Sequence, residues 1–161
     1  MFYFKQIEID NTNAQIVEKA IRANSKKRHA SLDFILNVEA TSDDKYFLGL
    51  ENNNDIILTR LRTRFEWYFP KIIIRFQKNK GFSSFQIRYS ILSSIVFCAL
   101  VIGLVSNLLY LSTDYFAFEN VLLMVMLLSL FVGLTFLEIA IARKRINKAI
   151  QKTTEAEFLN I

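Results

Sequence analysis

The sequence predicts an α+β N-terminal domain (strand, helix, antiparallel meander) followed by an antiparallel two-helix transmembrane hairpin. Three observations carry that reading. Residues 1–88 mix charges with short alternating apolar runs. Two stretches, about 89–111 and 120–142, hold a single charged residue between them. A cluster of lysines and arginines follows the second stretch. The chain therefore divides into a cytoplasmic α+β domain over 1–87, a hairpin over 88–142 and a basic cytoplasmic tail over 143–161.

The first apolar stretch, Tyr89 to Leu111, runs 23 residues without a charge. At about 1.5 Å per residue it covers the ~30 Å hydrocarbon core of a bilayer. The second, Asn120 to Ala142, is interrupted only by Glu138. A core helix of a soluble domain keeps a polar stripe, which neither stretch has, so both are expected to cross a membrane. The connection carries Asp114 and Glu119 but no Lys or Arg, whereas Lys71, Arg75, Lys78, Lys80 and Arg88 precede the first span and Arg143, Lys144, Arg145, Lys148 and Lys152 follow the second. The positive-inside rule then puts both termini in the cytoplasm. Aromatic residues flank the spans, Phe85 and Tyr89 at one end, Tyr110, Tyr115, Phe116 and Phe118 at the other.

Depth suggests how the helices meet. Ala99 and Gly133 lie eleven and ten residues inside Arg88 and Arg143; Gly103 and Ser129 lie fifteen and fourteen inside. Small residues at matched depth would let the two backbones approach, which is how membrane helices gain packing energy. Ser93, Ser94, Asn107 and Glu138 are the intramembrane polar candidates. Glu138 and the two serines share a depth near the cytoplasmic end. A carboxyl there is costly and marks either a structural pairing, by snorkelling or a serine hydroxyl, or a role in conduction or partner binding. Asn107 could bridge helices within or between chains.

In the soluble part, Phe2–Asp10 alternates as a strand does. Asn11 or Thr12 can cap a following helix whose apolar face is Ile16, Val17, Ala20 and Ile21. Lys26, Lys27 and Arg28 suit that helix's C-terminal end. Leu32–Glu39 alternates again, Thr41–Asp44 reads as a turn into a strand at Tyr46–Leu50, and Glu51–Asp55 as a second turn. Next, Ile57, Thr59, Leu61, Thr63, Phe65 and Trp67 alternate with Arg60, Arg62, Arg64 and Glu66, the clearest strand pattern in the chain. Phe69-Pro70 ends that run; Lys71–Gln77 and Phe82–Arg88 complete the sheet.

Arg60, Arg62 and Arg64 would form a basic surface ridge, for anionic lipid headgroups at about 1 kcal/mol per charge, for an acidic partner, or merely solvated. Trp67, Tyr68 and Phe69 form a membrane-proximal aromatic cluster, serving as core and anchor or as a contact patch. The chain has one Cys, one His and four Gly. That excludes an internal disulfide, a Cys-rich zinc site, a multi-histidine centre and a glycine-rich phosphate loop. His29 sits in a basic run with no nucleophile–acid partners around it. No enzyme, metal or other cofactor is expected, and no nucleic-acid motif is present. Lys5, Glu8 and Asp10 interrupt the N-terminal stretch where a signal peptide needs an apolar core. Abundant Asn, Lys, Ile and Phe fit an AT-rich bacterial source.

Phe47 and Gly49, Arg60, Phe69-Pro70 and Ile74 follow an order in which the chain resembles a group of bacterial two-span inner-membrane proteins with a small cytoplasmic α+β domain. Where that group tends to have Asn-Ser-Phe before the proline, this chain has Glu66, Trp67, Tyr68 and Phe69. The resemblance implies the bacterial inner membrane and brings no activity with it. The expectation is a non-enzymatic membrane protein whose cytoplasmic domain binds a protein partner, lipid or ligand, as an immunity-type or regulatory protein would, with the hairpin as anchor and homo-oligomer surface. The alternative is a subunit of a small homo-oligomeric channel or transporter lined by Glu138 and Asn107.

Overall fold

Alternation dominates the domain, and the backbone follows it in a computed structural model that describes residues 3–9, 14–28, 31–34, 45–110 and 116–159. The strands are β1 (Lys5–Glu8), β2 (Ser25–Lys27), β3 (Phe47–Glu51), β4 (Asp55–Arg60), β5 (Ile72–Gln77) and β6 (Ser84–Tyr89). They form one six-stranded sheet in the order β1-β6-β5-β4-β3-β2. β3 to β6 are successive antiparallel neighbours, and β2 alone joins in parallel, Lys26 beside Leu48. Helix α1 (Ala14–Ala23) precedes β2. Its capping residues, His29 and the expected turn at 41–44 lie outside the described residues, as does most of the strand expected at 32–39.

The sheet has two apolar faces, not one. Ile56, Leu58, Ile72, Ile74, Phe76, Phe85 and Ile87 share one face, covered by Val17, Ala20 and Ile21 of α1 and by a helix from the far end of the chain. Leu48, Leu61 and Ile73 share the other, where Leu32 packs on them. Phe85, expected to mark a membrane interface, is instead in the sheet core. Between β5 and β6 the chain reverses through Gly81 (φ +59°) and Phe82 (φ +56°). A left-handed phenylalanine is strained, but its ring is buried 6.0 Å from Phe76, and that contact holds it there.

Two long helices follow. Helix α2 spans Ile91–Tyr110 and α3 spans Phe116–Leu159, 44 residues without a break. Both contain stretches long and apolar enough to cross a membrane. They pack along each other: Tyr89, at the foot of α2, reaches Thr135; Phe97 meets Phe131; Gly103 faces Met124. The contacts climb α2 as they descend α3, so the helices run in opposite directions.

Helix α3 changes character along its length. From Phe118 to Leu137 it presents large bare apolar side chains, Met126 70% exposed and Leu122 63% among them. Beyond Glu138 the pattern inverts. Ile139, Ala142, Ile146, Ala149 and Ile150 are buried while Arg143 and Lys144 face outward. Spacings of three, four and seven residues keep one helix face apolar, and that face covers the sheet beside α1. The segment expected as a basic tail over 143–161 is thus, to Leu159, helix, and its first part belongs to the domain core. Composition hides this, because the five basic residues of 143–152 are interleaved with the apolar stripe that the helix gathers onto one face.

Candidate functional site

The bare half of α3 gives way to its buried half at Glu138, and the domain's charges gather there. Glu138 is fully buried. Arg60, the last residue of β4, donates to it through Nε (3.2 Å) and Nη2 (2.6 Å), and Arg62 donates through Nη2 (3.0 Å). Strand alternation explains Arg60: it shares a face with Ile56 and Leu58, and that face is the one α3 covers. Arg60 turns its remaining nitrogen, Nη1, to Glu66 at 2.6 Å. Glu66 sits in a short 3₁₀ turn, Arg64–Tyr68, and its other oxygen accepts the Thr63 backbone N–H at 2.8 Å, a reciprocal cap. Arg145, two helical turns beyond Glu138, reaches Glu66 at 3.5 Å and donates to the Leu61 carbonyl at 2.7 Å. Arg62 also donates to the carbonyls of Phe69 and Pro70, both at 2.9 Å.

The result is a chain of charge, Arg62–Glu138–Arg60–Glu66–Arg145, buried at Arg60, Arg62 and Glu138 and partly exposed at Glu66 and Arg145. Burial works against the Arg60 guanidinium, but hydrogen bonds to Glu138 and Glu66 outweigh it and hold its pKa above the usual value. Burial wins at Arg62, whose pKa is lowered; Glu138 pulls it back and Arg60 beside it does not. Both stay protonated, since arginine does not titrate in proteins. Burial pushes Glu66 up, yet the Thr63 N–H and Arg60 bring it below the ordinary glutamate range. Such a network is costly to build and very costly to leave half-built, so its role is to fix geometry.

A second polar knot lies beside it at the foot of α2. Arg88 grips Asp33 with two bonds, 2.8 and 2.9 Å, and Asp33 Oδ1 accepts the N–H of Ile91, the first residue of α2, at 3.2 Å. The Arg88 hydrogen bonds hold the Asp33 carboxyl below its usual range. Ser93 Oγ accepts the Lys71 backbone N–H at 2.7 Å and lies 3.2 Å from Ser90 Oγ. Lys71 Nζ donates to the Leu32 carbonyl. Burial, then Arg62, brings Lys71 down to about 8.

Several expected sites move. The basic ridge is not a ridge: Arg60 and Arg62 are 3% and 5% exposed, and only Arg64, in the 3₁₀ turn, is on the surface. The strand expected to run on to Trp67 ends at Arg60, because Arg62 spends its side chain on backbone carbonyls and Glu66 caps a turn. Lys26 and Lys27 lie not at a helix end but in the edge strand β2, where lysines discourage further pairing. Ala99, Ser129 and Gly133 are exposed, and no side chain approaches Gly133. Equal depth sets height but not azimuth: Ser129 and Gly133 are each two residues from Phe131, roughly 200° round α3 from that contact. Of the four, Gly103 alone lies in the seam between the helices. Ser129 bonds the Met126 carbonyl and Asn107 the Gly103 carbonyl, each within its own helix. Ser94 sits in α2's first turn, its N–H on the Ser90 carbonyl. Trp67 and Tyr68 are exposed, and Trp67 and Phe69 line a cleft against the foot of α2.

Sequence reasoning missed Asp33, Glu66 and Arg145. The signal for Arg60 was present: Ile56, Leu58 and Arg60 alternate as well as Ile57, Thr59 and Leu61 do. Among the described residues no group of three or more His, Cys, Asp or Glu side chains is placed to hold a metal. No family model matches the chain, and comparison with curated proteins and with solved structures found no match.

Proposed function

We propose that this chain is a non-enzymatic bacterial inner-membrane protein: a two-helix membrane hairpin that carries a binding domain on the cytoplasmic face. The observation that carries the reading is the single helix α3, which bares large apolar side chains up to Leu137 and buries one apolar face in the domain core beyond Glu138. The twenty residues from Phe118 to Leu137, at about 1.5 Å each, match a ~30 Å hydrocarbon layer. Glu138, held by Arg60 and Arg62, then lies where the layer ends, and the domain sits against the headgroups. An ordinary tether would leave the domain free to tumble. A buried ion network between sheet and helix instead fixes its orientation, so that one surface always meets the membrane. That suits a module that presents a fixed surface to a lipid or protein partner, as a regulatory or immunity-type protein would.

The polar groups that would line a channel favour this reading over transport. The Glu138 carboxylate is committed to two arginines and the Asn107 amide to a carbonyl of its own helix. The test has two parts. Alkaline carbonate extraction of membranes should leave the protein in the pellet, and reporter fusions at either terminus should be active only in the cytoplasm. Release by carbonate would end the membrane assignment; a periplasmic terminus would overturn the orientation.

A further inference from the structure

The sheet ends on an open edge at β1, and α3 passes beside it. Lys5 stands opposite Ile87 and Ile7 opposite Phe85, so both project from the face that α3 covers. Between strand and helix lies a cleft of about 540 Å³, lined by Lys5 and Ile7 on one side and by Phe136, Ala140, Arg143 and Lys144 on the other. Three of these residues are cations and none is an acid. Lys5 Nζ rests 5.9 Å from the centroid of the Phe136 ring. Arg143 and Lys144 are exposed and, among the described residues, take part in no ion pair or hydrogen bond. Glu8 lines an adjoining cleft with Arg143, and Lys5, Arg143 and Lys144 against Glu8 still leave two positive charges in excess.

Position along α3 decides what that charge meets. At about 100° per residue, Gly133, Phe136, Ala140, Arg143 and Lys144 fall within a sector of about 100° on one helix face. Phe136 and Ala140 are exposed there, and no side chain approaches Gly133. Arg143 lies six residues beyond Leu137, about 9 Å along the helix. The headgroup layer outside the hydrocarbon is roughly 5–7 Å deep, and arginine and lysine stems reach back over such a gap. With the bilayer ending near Leu137, the three cations stand level with lipid phosphates. We infer that the cleft holds one anionic phospholipid of the cytoplasmic leaflet, its phosphate among Lys5, Arg143 and Lys144 and an acyl chain down the helix face over Phe136 and Gly133. Arg143 offers a phosphate two parallel N–H donors, and the lysines add point charges. The cationic cleft continues into a bare apolar face, which a free phosphate or an acidic protein segment would leave uncovered. The inference rests on the membrane reading above and adds a defined site to it.

Native mass spectrometry counts such a lipid. The full-length protein would be placed in nanodiscs holding phosphatidylcholine and phosphatidylglycerol in equal share, released intact, and its retained lipids identified. One phosphatidylglycerol per chain should survive release, several-fold more often than phosphatidylcholine. Arg143→Gln combined with Lys144→Gln should abolish that preference without threatening the fold, because both side chains are exposed. Ala140→Glu removes no cation but sets a carboxylate at the mouth of the cleft, and it should do the same; its i, i+4 spacing to Lys144 favours the helix. Lys27→Gln combined with Lys148→Gln takes the same charge from exposed positions outside the cleft and should leave the preference intact. Equal retention of the two lipids, a preference that survives both cleft variants, an equal loss with the Lys27 and Lys148 pair, or a second chain bound in place of the lipid would overturn the site while leaving the membrane assignment standing. A protein that fails to enter nanodiscs would instead defeat the membrane assignment.

Discussion

Replacing Glu138 by glutamine tests the network at its centre. The side chain keeps its shape and loses its charge, and one of its two oxygens becomes an NH₂ facing arginine N–H donors. Three hydrogen bonds from Arg60 and Arg62 converge on the carboxylate. Breaking a buried ion pair by removing one partner costs about 3–5 kcal/mol. Arg60 retains Glu66 at 2.6 Å, and Arg62 retains two carbonyls, so the lower end applies, about 3 kcal/mol. For a chain of this size each kcal/mol moves the midpoint by roughly 2–4 °C, so Glu138→Gln should melt roughly 6–12 °C below wild type. The assay is thermal unfolding of the detergent-purified protein followed by circular dichroism. A double-mutant cycle with Arg60→Met and Glu138→Met separates the pair from simple truncation and should return a coupling of about 1–3 kcal/mol. A Glu138→Gln midpoint within a degree of wild type, or no coupling, would refute the argument that this network locks α3 to the sheet.

Ile146 is fully buried between α3 and the sheet, so Ile146→Ala should cost about 2–5 kcal/mol in the same melt, and deletion after Ala142 should leave the domain unable to fold. Asp33→Ala takes the carboxylate from Arg88 and the acceptor from the Ile91 N–H; it should destabilise by about 2 kcal/mol, and hydrogen exchange should rise first in the residues around Ile91. Lys71 releases its proton near pH 8 when folded but near 10.5 when unfolded. Between those values the unfolded chain holds more protons, so stability contributed at this site rises with pH across that window. Lys71→Gln should flatten the rise seen in denaturant titrations from pH 8 to 10.5.

How far the residues foretell the structure depends on which physical effect dominates each segment. The apolar stretches of α2 and α3 are legible from composition alone, since nothing competes with some twenty uncharged residues. β3 and β5 are legible for a similar reason, as Phe47–Leu50 and Ile72–Phe76 are dense in residues that favour a pleated, buried surface. β2 was hidden because Ser25–Lys27 has no apolar content; it is a strand only because β3 offers an edge beside it. The end of β4 was hidden because alternation continues through Thr63 and Phe65 while the backbone turns away to serve Glu66 and Arg62. The charge network was half legible. One carboxylate in an otherwise uncharged stretch demands a partner, and an arginine at the end of an Ile56–Leu58 face was waiting for one. Joining them needed the distance between α3 and β4, which no local pattern contains. The helix seam shows the same limit, because depth along two helices is countable and rotation about them is not.

The central claim is that bare apolar helix and domain core are one continuous body with lipid around the bare part. The lone cysteine, Cys98, lies midway along α2 on its exposed side and reads this directly. A nitroxide attached there, in protein reconstituted into liposomes, should collide readily with oxygen and hardly at all with a water-soluble nickel chelate. The same label in the Glu138→Gln protein should report the same depth, since the domain loosens while the helix stays in lipid. Ready collision with the chelate in the wild-type protein would place Cys98 in water and contradict the account.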